Sequence, residues 1–457
     1  MSTPVRRRSF AFGLRYDTYY AARCTKALEV ALYATPAYEA WRRLDPGREH
    51  PVFARLAALP ALTKTDLRRH GPEGFIPEGR DMAQGLASGE IDLAVTSGTT
   101  GDQVVNLWYQ PWWDATEAAT WKLNAHARAV ATGTHREAIL TSPWCVGVPC
   151  EEGYLPTSQR SLGRFLYLSE RSDPSTWSEE LMDRMVGEIN AFAPVILEAN
   201  PSFLARLSRH IYYRGLHVRS PELIVLTYEN PSLLHLRQVR RVFTAPIASS
   251  YGSTEAGHIF MQCEAGYMHQ VTAFCHVDLL PLKPDYGGPA LGRILVTNFE
   301  NPWRALLRFD TGDIVRLAEG GPCSCGQQEG LTLASIEGRT INLTSTPDGR
   351  AVTQGAVDRA LAAVAGLAEY QVVQTDASTY EVRFVAEDTA PSRVAAGVRE
   401  ALRDLYGPKA RIVATPVAGI APDPPGKYRL ARALQPPDVD ALLDEQFAPT
   451  TLLEEGG

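Results

Sequence analysis

The sequence predicts an α/β fold: a large, multi-part first domain with parallel-type sheets, followed by a small α+β domain. Three observations carry this. The chain has 457 residues, more than one hydrophobic core organises, so two or more domains are expected. Short apolar runs alternate with helical patterns through the middle of the chain, the mark of a largely parallel sheet. Beyond Thr340 the pattern becomes one helix, two strands, a second helix and a strand.

The elements follow in order. Residues 16–43 have apolar positions at helical spacing, among them Tyr19, Ala22, Leu28, Leu32 and Tyr33. Leu59 and Pro60 lead into a short helix with Thr63 as N-cap and Asp66 completing a capping-box-like start. A helix is predicted over 114–130 and a strand over 138–141, then a turn-rich loop over 142–149. An amphipathic helix over 177–192, a strand over 194–197, a helix over 201–214 and a strand over 223–227 come next. In the small domain the spacing predicts helices over 354–364 and 391–406, with strands over 370–374, 380–385 and near 411–414.

Composition narrows the function classes. Apolar residues make up 45% and charged residues 21%, ordinary for a globular chain. The net charge of -7 offers no basic face for nucleic acid. The cluster Arg6-Arg7-Arg8 reads as a solvated tail. No apolar run approaches the roughly 20 residues of a membrane span, and Arg15, Asp17 and Arg23 interrupt any signal-peptide core. Seven cysteines, odd in number and unevenly spaced, favour reduced thiols or metal ligands over a disulfide framework, which fits a cytoplasmic protein.

Four stretches carry chemistry. The apolar run 91–95 leads into Thr96, Ser97, Gly98, Thr99, Thr100 and Gly101. Glycines let backbone amides approach an anion and the hydroxyls add donors, so this loop suits phosphates. It is not the phosphate loop of kinase-type enzymes, since no lysine follows; alone, it reads equally as a plain turn. Ser250, Tyr251, Gly252, Ser253, Thr254 and Glu255 put an aromatic, hydroxyls and a carboxylate in one turn, suited to a base, a phosphate and Mg²⁺. Arg308 to Asp313 is a polar turn whose Asp313 suits vicinal ribose hydroxyls, or simply forms the turn. Gly338-Arg339 follows, and Pro424-Pro425-Gly426-Lys427 sets one lysine in a rigid, then flexible loop.

In this order the four motifs, with Leu59-Pro60, Thr63-Lys64 and Asp66-Leu67 before them, resemble the adenylate-forming ligases (acyl-CoA synthetases, adenylation domains and luciferases), in particular the phenylacetate-CoA ligase-like branch. The resemblance spans roughly 60–430. It implies an N-terminal adenylation domain, 1–338, and a small mobile C-terminal lid, 339–457, carrying the catalytic lysine. It also implies that ATP and a carboxylic acid form an acyl adenylate with release of pyrophosphate. Thr96, Ser97, Gly98, Thr99, Thr100 and Gly101 then grip the departing phosphates. Tyr251 and Gly252 meet adenine, Thr254 the α-phosphate, Glu255 Mg²⁺ and Asp313 the ribose, while Arg339 supports ribose or phosphate. Lys427 bridges the acid carboxylate and the α-phosphate as charge builds there.

The acceptor is expected to be a thiol, CoA first. The chain departs from the family at Gly101-Asp102-Gln103-Val104, at the hinge (Arg339-Thr340-Ile341-Asn342) and at Thr344-Ser345-Thr346-Pro347-Asp348-Gly349. The last departure keeps a carrier-protein thiol or an amine open as acceptor. A degenerate relative that only binds nucleotide or acid is the non-enzymatic alternative. Trp144, Tyr228 and Ser250 are expected around the acid, which points to an aryl or heteroaryl acid, with core packing as the plain reading of the two aromatics. Glu198 or Glu229 would meet a substrate amino group. The protein is expected to be a monomer or homodimer.

Cysteine chemistry suggests a second site. Cys323 and Cys325 with Cys263 and His269 are soft thiolates and an imidazole suited to tetrahedral Zn²⁺, and some members of the branch look similar here. Cys275 and His276 are substitute ligands, and unliganded thiols the alternative.

Overall fold

The computed structural model describes residues 16–95, 103–320, 322–423 and 427–444. The Arg6-Arg7-Arg8 tail, the loop over 96–101 and Pro424-Pro425-Gly426 lie outside the described residues.

Most predicted elements form, with two helices divided. The segment predicted over 16–43 is an α-helix, Tyr20–Ala34, and then a 3-10 helix, Pro36–Leu44. Thr35 sits between them with φ -133° and ψ 120°, because a residue before proline is driven out of the helical region. The segment over 114–130 divides into Gln110–Trp121 and Ala125–Val130, the second started by Asn124, whose side chain accepts from the Ala127 N–H. The helix Pro201–Arg214 matches its prediction at both ends, with Asn200 as N-cap and Gly215 in the left-handed conformation as C-cap.

The main sheet has twelve strands. One half is parallel: Phe165–Tyr167, Glu137–Leu140, Ile196–Ala199, Leu223–Leu226 and Ile247–Ser253 lie side by side. The other half, Gly257–Gln262 through Cys275–Pro281, is antiparallel, and the short Ser161–Leu162 adds an antiparallel edge strand beside Phe165–Tyr167. The parallel expectation therefore holds up to Ser253. After it, the connections 254–256 and 263–267 are too short for a crossover, so the chain turns back on itself. Glu137–Leu140 and Leu223–Leu226 are buried along their whole length, as central strands covered on both faces must be. Met185, Ile189, Phe203 and Leu207 fill one side of this half. Tyr20, Leu28 and Tyr38 of the first helices pack on Phe260 and Phe309 of the antiparallel half.

The C-terminal part has its own four-stranded sheet, ordered Arg411–Pro416, Thr379–Ala386, Leu367–Gln374 and Ala431–Ala433. Helices Gln354–Ala362 and Pro391–Tyr406 cover it, with Val357, Leu361, Val372, Phe384, Val398 and Leu402 buried between. Polar bonds tie it to the larger part: Arg241 to Glu387 at 2.8 Å, Tyr213 to Glu387 at 3.2 Å, and Arg209 to Glu369. Among the described residues no helix is long and apolar enough to cross a membrane.

Candidate active site

A single cavity of about 2320 Å³ lies where the parallel half of the sheet meets the antiparallel half and the C-terminal part. Trp144, Tyr228, Ser250, Tyr251, Gly252, Thr254, Glu255, Asp313, Arg339 and Lys427 all line it. The sequence spreads these residues over almost three hundred positions, and the fold brings every described one together.

Sheet register explains the first group. Asp313 pairs directly with Arg339 across neighbouring antiparallel strands, so the carboxylate and guanidinium stand 3.7 Å apart. The Tyr251 hydroxyl donates to Asp313 Oδ2 at 2.7 Å. Burial, and then the Asp313 charge, pushes this hydroxyl well above its usual range, so it stays a neutral donor. Gly252 is required by close approach: a Cβ there would sit 2.3 Å from the Gly257 carbonyl oxygen. Ser250 Oγ lies 3.2 Å from His258 Nδ1.

Glu255 is 4% exposed, and its Oε1 has no hydrogen-bond partner among the described residues. Burial alone would raise this carboxyl, but Lys64 and Arg304 outweigh it and hold it below the ordinary range. An ionised carboxylate with a buried oxygen that takes no hydrogen bond fits a hard divalent cation such as Mg²⁺. Lys64 Nζ stands 3.5 Å from that oxygen. Lys64 is the first residue of the helix Lys64–His70, which the predicted capping box of Thr63 and Asp66 starts. Backbone bonds fix its place: Leu62 N–H donates to Arg308 O at 2.9 Å, and Asp310 N–H to Leu62 O at 2.8 Å. Sequence reasoning gave neither Lys64 nor Arg304 a role. The only signal was the position of Lys64 just after a strong cap.

Lys427 enters from the C-terminal part. It exchanges backbone bonds of 2.9 and 3.1 Å with Asp423, closing the loop. The next N–H, of Tyr428, donates to Glu229 Oε2 at 3.2 Å, and Glu229 Oε1 accepts from the Ser202 N–H at 3.3 Å. Glu229 thus holds the lysine loop against the helix Pro201–Arg214. Of the two acids suggested for a substrate amine, it is the one held by backbone amides, whereas Glu198 accepts from the Tyr228 hydroxyl. Burial, then Arg339, lowers the Lys427 ammonium from its usual value. The neighbouring positive charges of Lys427 and Arg339 suit an anionic ligand. Tyr228 has φ of 71°, a left-handed conformation rare for an aromatic, and its hydroxyl donates to Glu198. Trp144 is 62% exposed and stands on the cavity wall, so core packing does not account for it.

A second cluster lies outside this cavity. The ligand atoms of Cys263, His269, Cys323 and Cys325 fall within 4.8 Å of one another. Cys263 and Cys323 sulfurs are 3.8 Å apart, and Cys325 Sγ is 3.3 Å from His269 Nε2. Ordinary zinc bond lengths give tetrahedral edges of about 3.8 Å between sulfurs and about 3.6 Å from sulfur to nitrogen. Thr332 Oγ1 lies 3.2 Å from His269 Nδ1, which leaves Nε2 turned to the cluster. The donor set fits Zn²⁺. The suggested substitutes are elsewhere: Cys275 Sγ donates to the Val271 carbonyl, and His276 lies between Tyr20 and Asp278.

The fold is shared with solved structures. A 2-hydroxyisobutyryl-CoA ligase in its postadenylation state, with 2-HIB-AMP, matches with TM-score 0.66 at 15% identity, over 93% of this chain and 90% of that one. The same ligase in its thioesterification state, with 2-HIB-AMP and CoA, matches with TM-score 0.53 at 15% identity, over 92% of this chain and 89% of that one. An anthranilate CoA ligase with anthranoyl-AMP matches with TM-score 0.51 at 14% identity, over 75% and 65%. No protein-family model matches the sequence, and no curated protein does.

Proposed function

We propose that this chain, which has the fold of the adenylate-forming ligases, is an ATP-dependent ligase that converts a carboxylic acid to an acyl adenylate and passes the acyl group to a thiol. The observation that carries this reading is the convergence of Glu255, Asp313, Arg339 and Lys427 on one cavity from three separate parts of the fold.

The acid carboxylate attacks the α-phosphorus of ATP, the bond to the β-phosphate oxygen breaks, and pyrophosphate leaves. Asp313, its orientation fixed by Tyr251, accepts from the ribose hydroxyls. Tyr251 offers its ring to adenine, and Thr254 donates to the α-phosphate. Arg339 lies beside the ribose and phosphates. The Lys427 ammonium faces both the attacking carboxylate and the α-phosphate oxygens, where negative charge grows; such preorganised charge is the main source of acceleration in phosphoryl transfer. Glu255 would hold Mg²⁺, which supplies charge neutralisation on the phosphates when bound. The loop over 96–101 is assigned the pyrophosphate.

The domain division at 338/339 belongs to this reading. Residues 1–338 form the adenylation domain. Residues 339–457 form a lid that turns after the first step, withdraws Lys427 and admits the second nucleophile. CoA is the first choice for that nucleophile. A carrier-protein thiol or an amine is the second, favoured by the segment 344–349, which departs from the family's Gly-rich pattern. An aryl or heteroaryl acid is supported by Trp144 and Tyr228 on the wall. The cluster Cys263, His269, Cys323 and Cys325 is assigned a structural Zn²⁺.

Pyrophosphate release measured over a broad panel of acids tests the central claim. Acid-dependent release is the expected result. ATP binding without release for any acid would leave only the nucleotide-binding alternative. Products formed with and without CoA, read by mass spectrometry, identify the acceptor.

A further inference from the structure

The part of the cavity remote from the nucleotide residues is unusually acidic. Glu137 opens the strand Glu137–Leu140, and Glu198 lies in its neighbour, opposite Ile139. Side chains two apart on a strand share a face, so Glu137 and Glu198 point to the same side of the sheet. The helix Gln110–Trp121 brings Glu117 to that side, and all three carboxylates line the cavity.

Lys122, Arg128 and Arg164 line the same cavity. Arg164 bonds Glu137 at 2.7 Å. Neither Glu117 nor Glu198 is ion-paired with a lysine or arginine among the described residues. Their partners are neutral: Trp121 for Glu117 and the Tyr228 hydroxyl for Glu198. A second observation marks the same wall as incomplete. His135 is 8% exposed and lines the cavity, its Nε2 is 3.2 Å from Glu137, and its Nδ1 has no hydrogen-bond partner among the described residues.

Burial and mutual repulsion push Glu117 up to about 7 and Glu198 well above the usual carboxylate range. Without a ligand, the pocket therefore holds protons where a cation would otherwise stand. A wall meant for an uncharged ring does not need three carboxylates, since each costs desolvation that an apolar residue would avoid.

We infer that the acid activated here carries a protonated amine, whose ammonium group binds between Glu198 and Glu117 while its carboxylate faces Lys427. This rests on the adenylation reading and narrows its substrate to amino acids. The ammonium donates to the two carboxylates and replaces their protons, so the site becomes ion-paired only when loaded. Glu229 takes no part, because its oxygens are held by backbone amides. The aromatic residues around the pocket then stack on the body of the substrate rather than define it.

The test uses the intact protein, ATP and matched pairs of acids that differ by the amine: phenylalanine against hydrocinnamate, β-alanine against propionate, aminomethylbenzoate against toluate. Pyrophosphate release should favour the amine member of at least one pair by about 30-fold or more in kcat/KM, the lower end of the effect of removing one partner of a buried charge pair. Glu198→Gln should raise KM for that amino acid by a similar factor, leave KM for ATP unchanged, and shrink the preference over the amine-free analogue. If amine-free acids are used as well as their partners, the inference falls while adenylation stands. If no acid of either kind gives release, both fall. Should Glu198→Gln fail to fold, Glu117→Gln gives the same reading, and the wild-type pairs decide without either variant.

Discussion

Replacing Glu387 by glutamine should loosen the C-terminal part from the rest of the protein without unfolding either. Glu387 is 6% exposed and follows the strand Thr379–Ala386. Its carboxylate accepts from Arg241 at 2.8 Å, from Gln238 at 2.9 Å and from the Tyr213 hydroxyl at 3.2 Å, and Arg209 Nε is 3.7 Å away. Every one of these donors belongs to the larger part. The substitution keeps the shape and removes the charge, leaving two guanidiniums without it. Breaking a fully buried pair costs about 3–5 kcal/mol. Here Arg209 and Arg241 keep 21% and 27% of their side chains exposed, so water takes up part of the loss. A value of about 1–2 kcal/mol remains, a factor of roughly 5 to 30 in the docking equilibrium.

Limited proteolysis between residues 339 and 346, with small-angle scattering of the free protein, reads that equilibrium. The variant should be cut faster and be more extended. Adenylation should fall, since Lys427 rides on the docked part. A variant whose melting temperature drops while cleavage rate and scattering stay the same would refute the reasoning, because Glu387 would then serve the fold and not the docking.

Three further outcomes follow. Lys427→Ala should cut acid-dependent pyrophosphate release by about 10²–10³-fold, the usual loss when one preorganised donor is removed; KM for ATP should stay within about two-fold, and unchanged release would remove the lysine from the mechanism. Glu337 is buried and bonded to Arg359 at 2.9 Å, to Arg316 at 3.1 Å and to Ser335 at 2.8 Å. Burial would raise its carboxyl, but Arg359, Thr353 and Ser335 lower it from 4.5 to about 2. A depressed folded value means the stabilisation is whole above about pH 4.5 and fades as pH falls towards 2, at most about 2 kcal/mol given the half-exposed Arg359. Urea midpoints against pH should therefore slope less in Glu337→Gln than in the wild type over that window. Purified protein should carry about one zinc per chain, and Cys325→Ala should lose the metal together with several degrees of melting temperature; metal analysis showing none, with every thiol titrating freely, would end the assignment.

The residues proposed for the site were legible because their motifs stand together in a fixed order. Glu255, Asp313, Arg339 and Lys427 were each weak signals alone and line one cavity in the structure. Lys64, Arg304 and the anchoring role of Glu229 were not legible. Each depends on a pairing far away in sequence: Lys64 reaches Glu255 only because Leu62 bonds beside Phe309, and Glu229 matters only because Tyr428 arrives above it. The antiparallel half of the sheet was hidden for a related reason. Leu291–Asn298 is buried at every position, and its apolar stretch Ile294-Leu295-Val296 lacks the in-and-out alternation that would mark a half-exposed antiparallel strand. The residues of the cysteine–histidine cluster were legible by type, while the sequence separation of Cys263 from Cys323 concealed that their sulfurs lie 3.8 Å apart. Trp144 shows the limit of residue type alone, since an aromatic on a cavity wall and one in a core look identical in sequence.

The change of strand direction at Ile247–Ser253 accounts for where the cavity is and why its two ends differ. In an open α/β sheet, ligands bind beyond the carboxyl ends of the strands, at the point where strand order reverses. Here Trp144 and Tyr228 follow the parallel strands Glu137–Leu140 and Leu223–Leu226, Ser250 lies within Ile247–Ser253, and these line the side proposed for the acid. The antiparallel strands contribute Asp313 and Arg339, which line the side proposed for the nucleotide. Lys427 comes from a third unit and stands between them. On the proposed assignment the acid side rests on the parallel strands, and the nucleotide side on the antiparallel strands together with Tyr251 of the junction strand Ile247–Ser253. Changes at Glu198 or Tyr228 should then move KM for the acid and leave that for ATP, while Asp313→Asn should do the reverse. Steady-state kinetics with both substrates varied read this directly, and a variant on one half that shifts both constants together would show that the two halves act as a single unit.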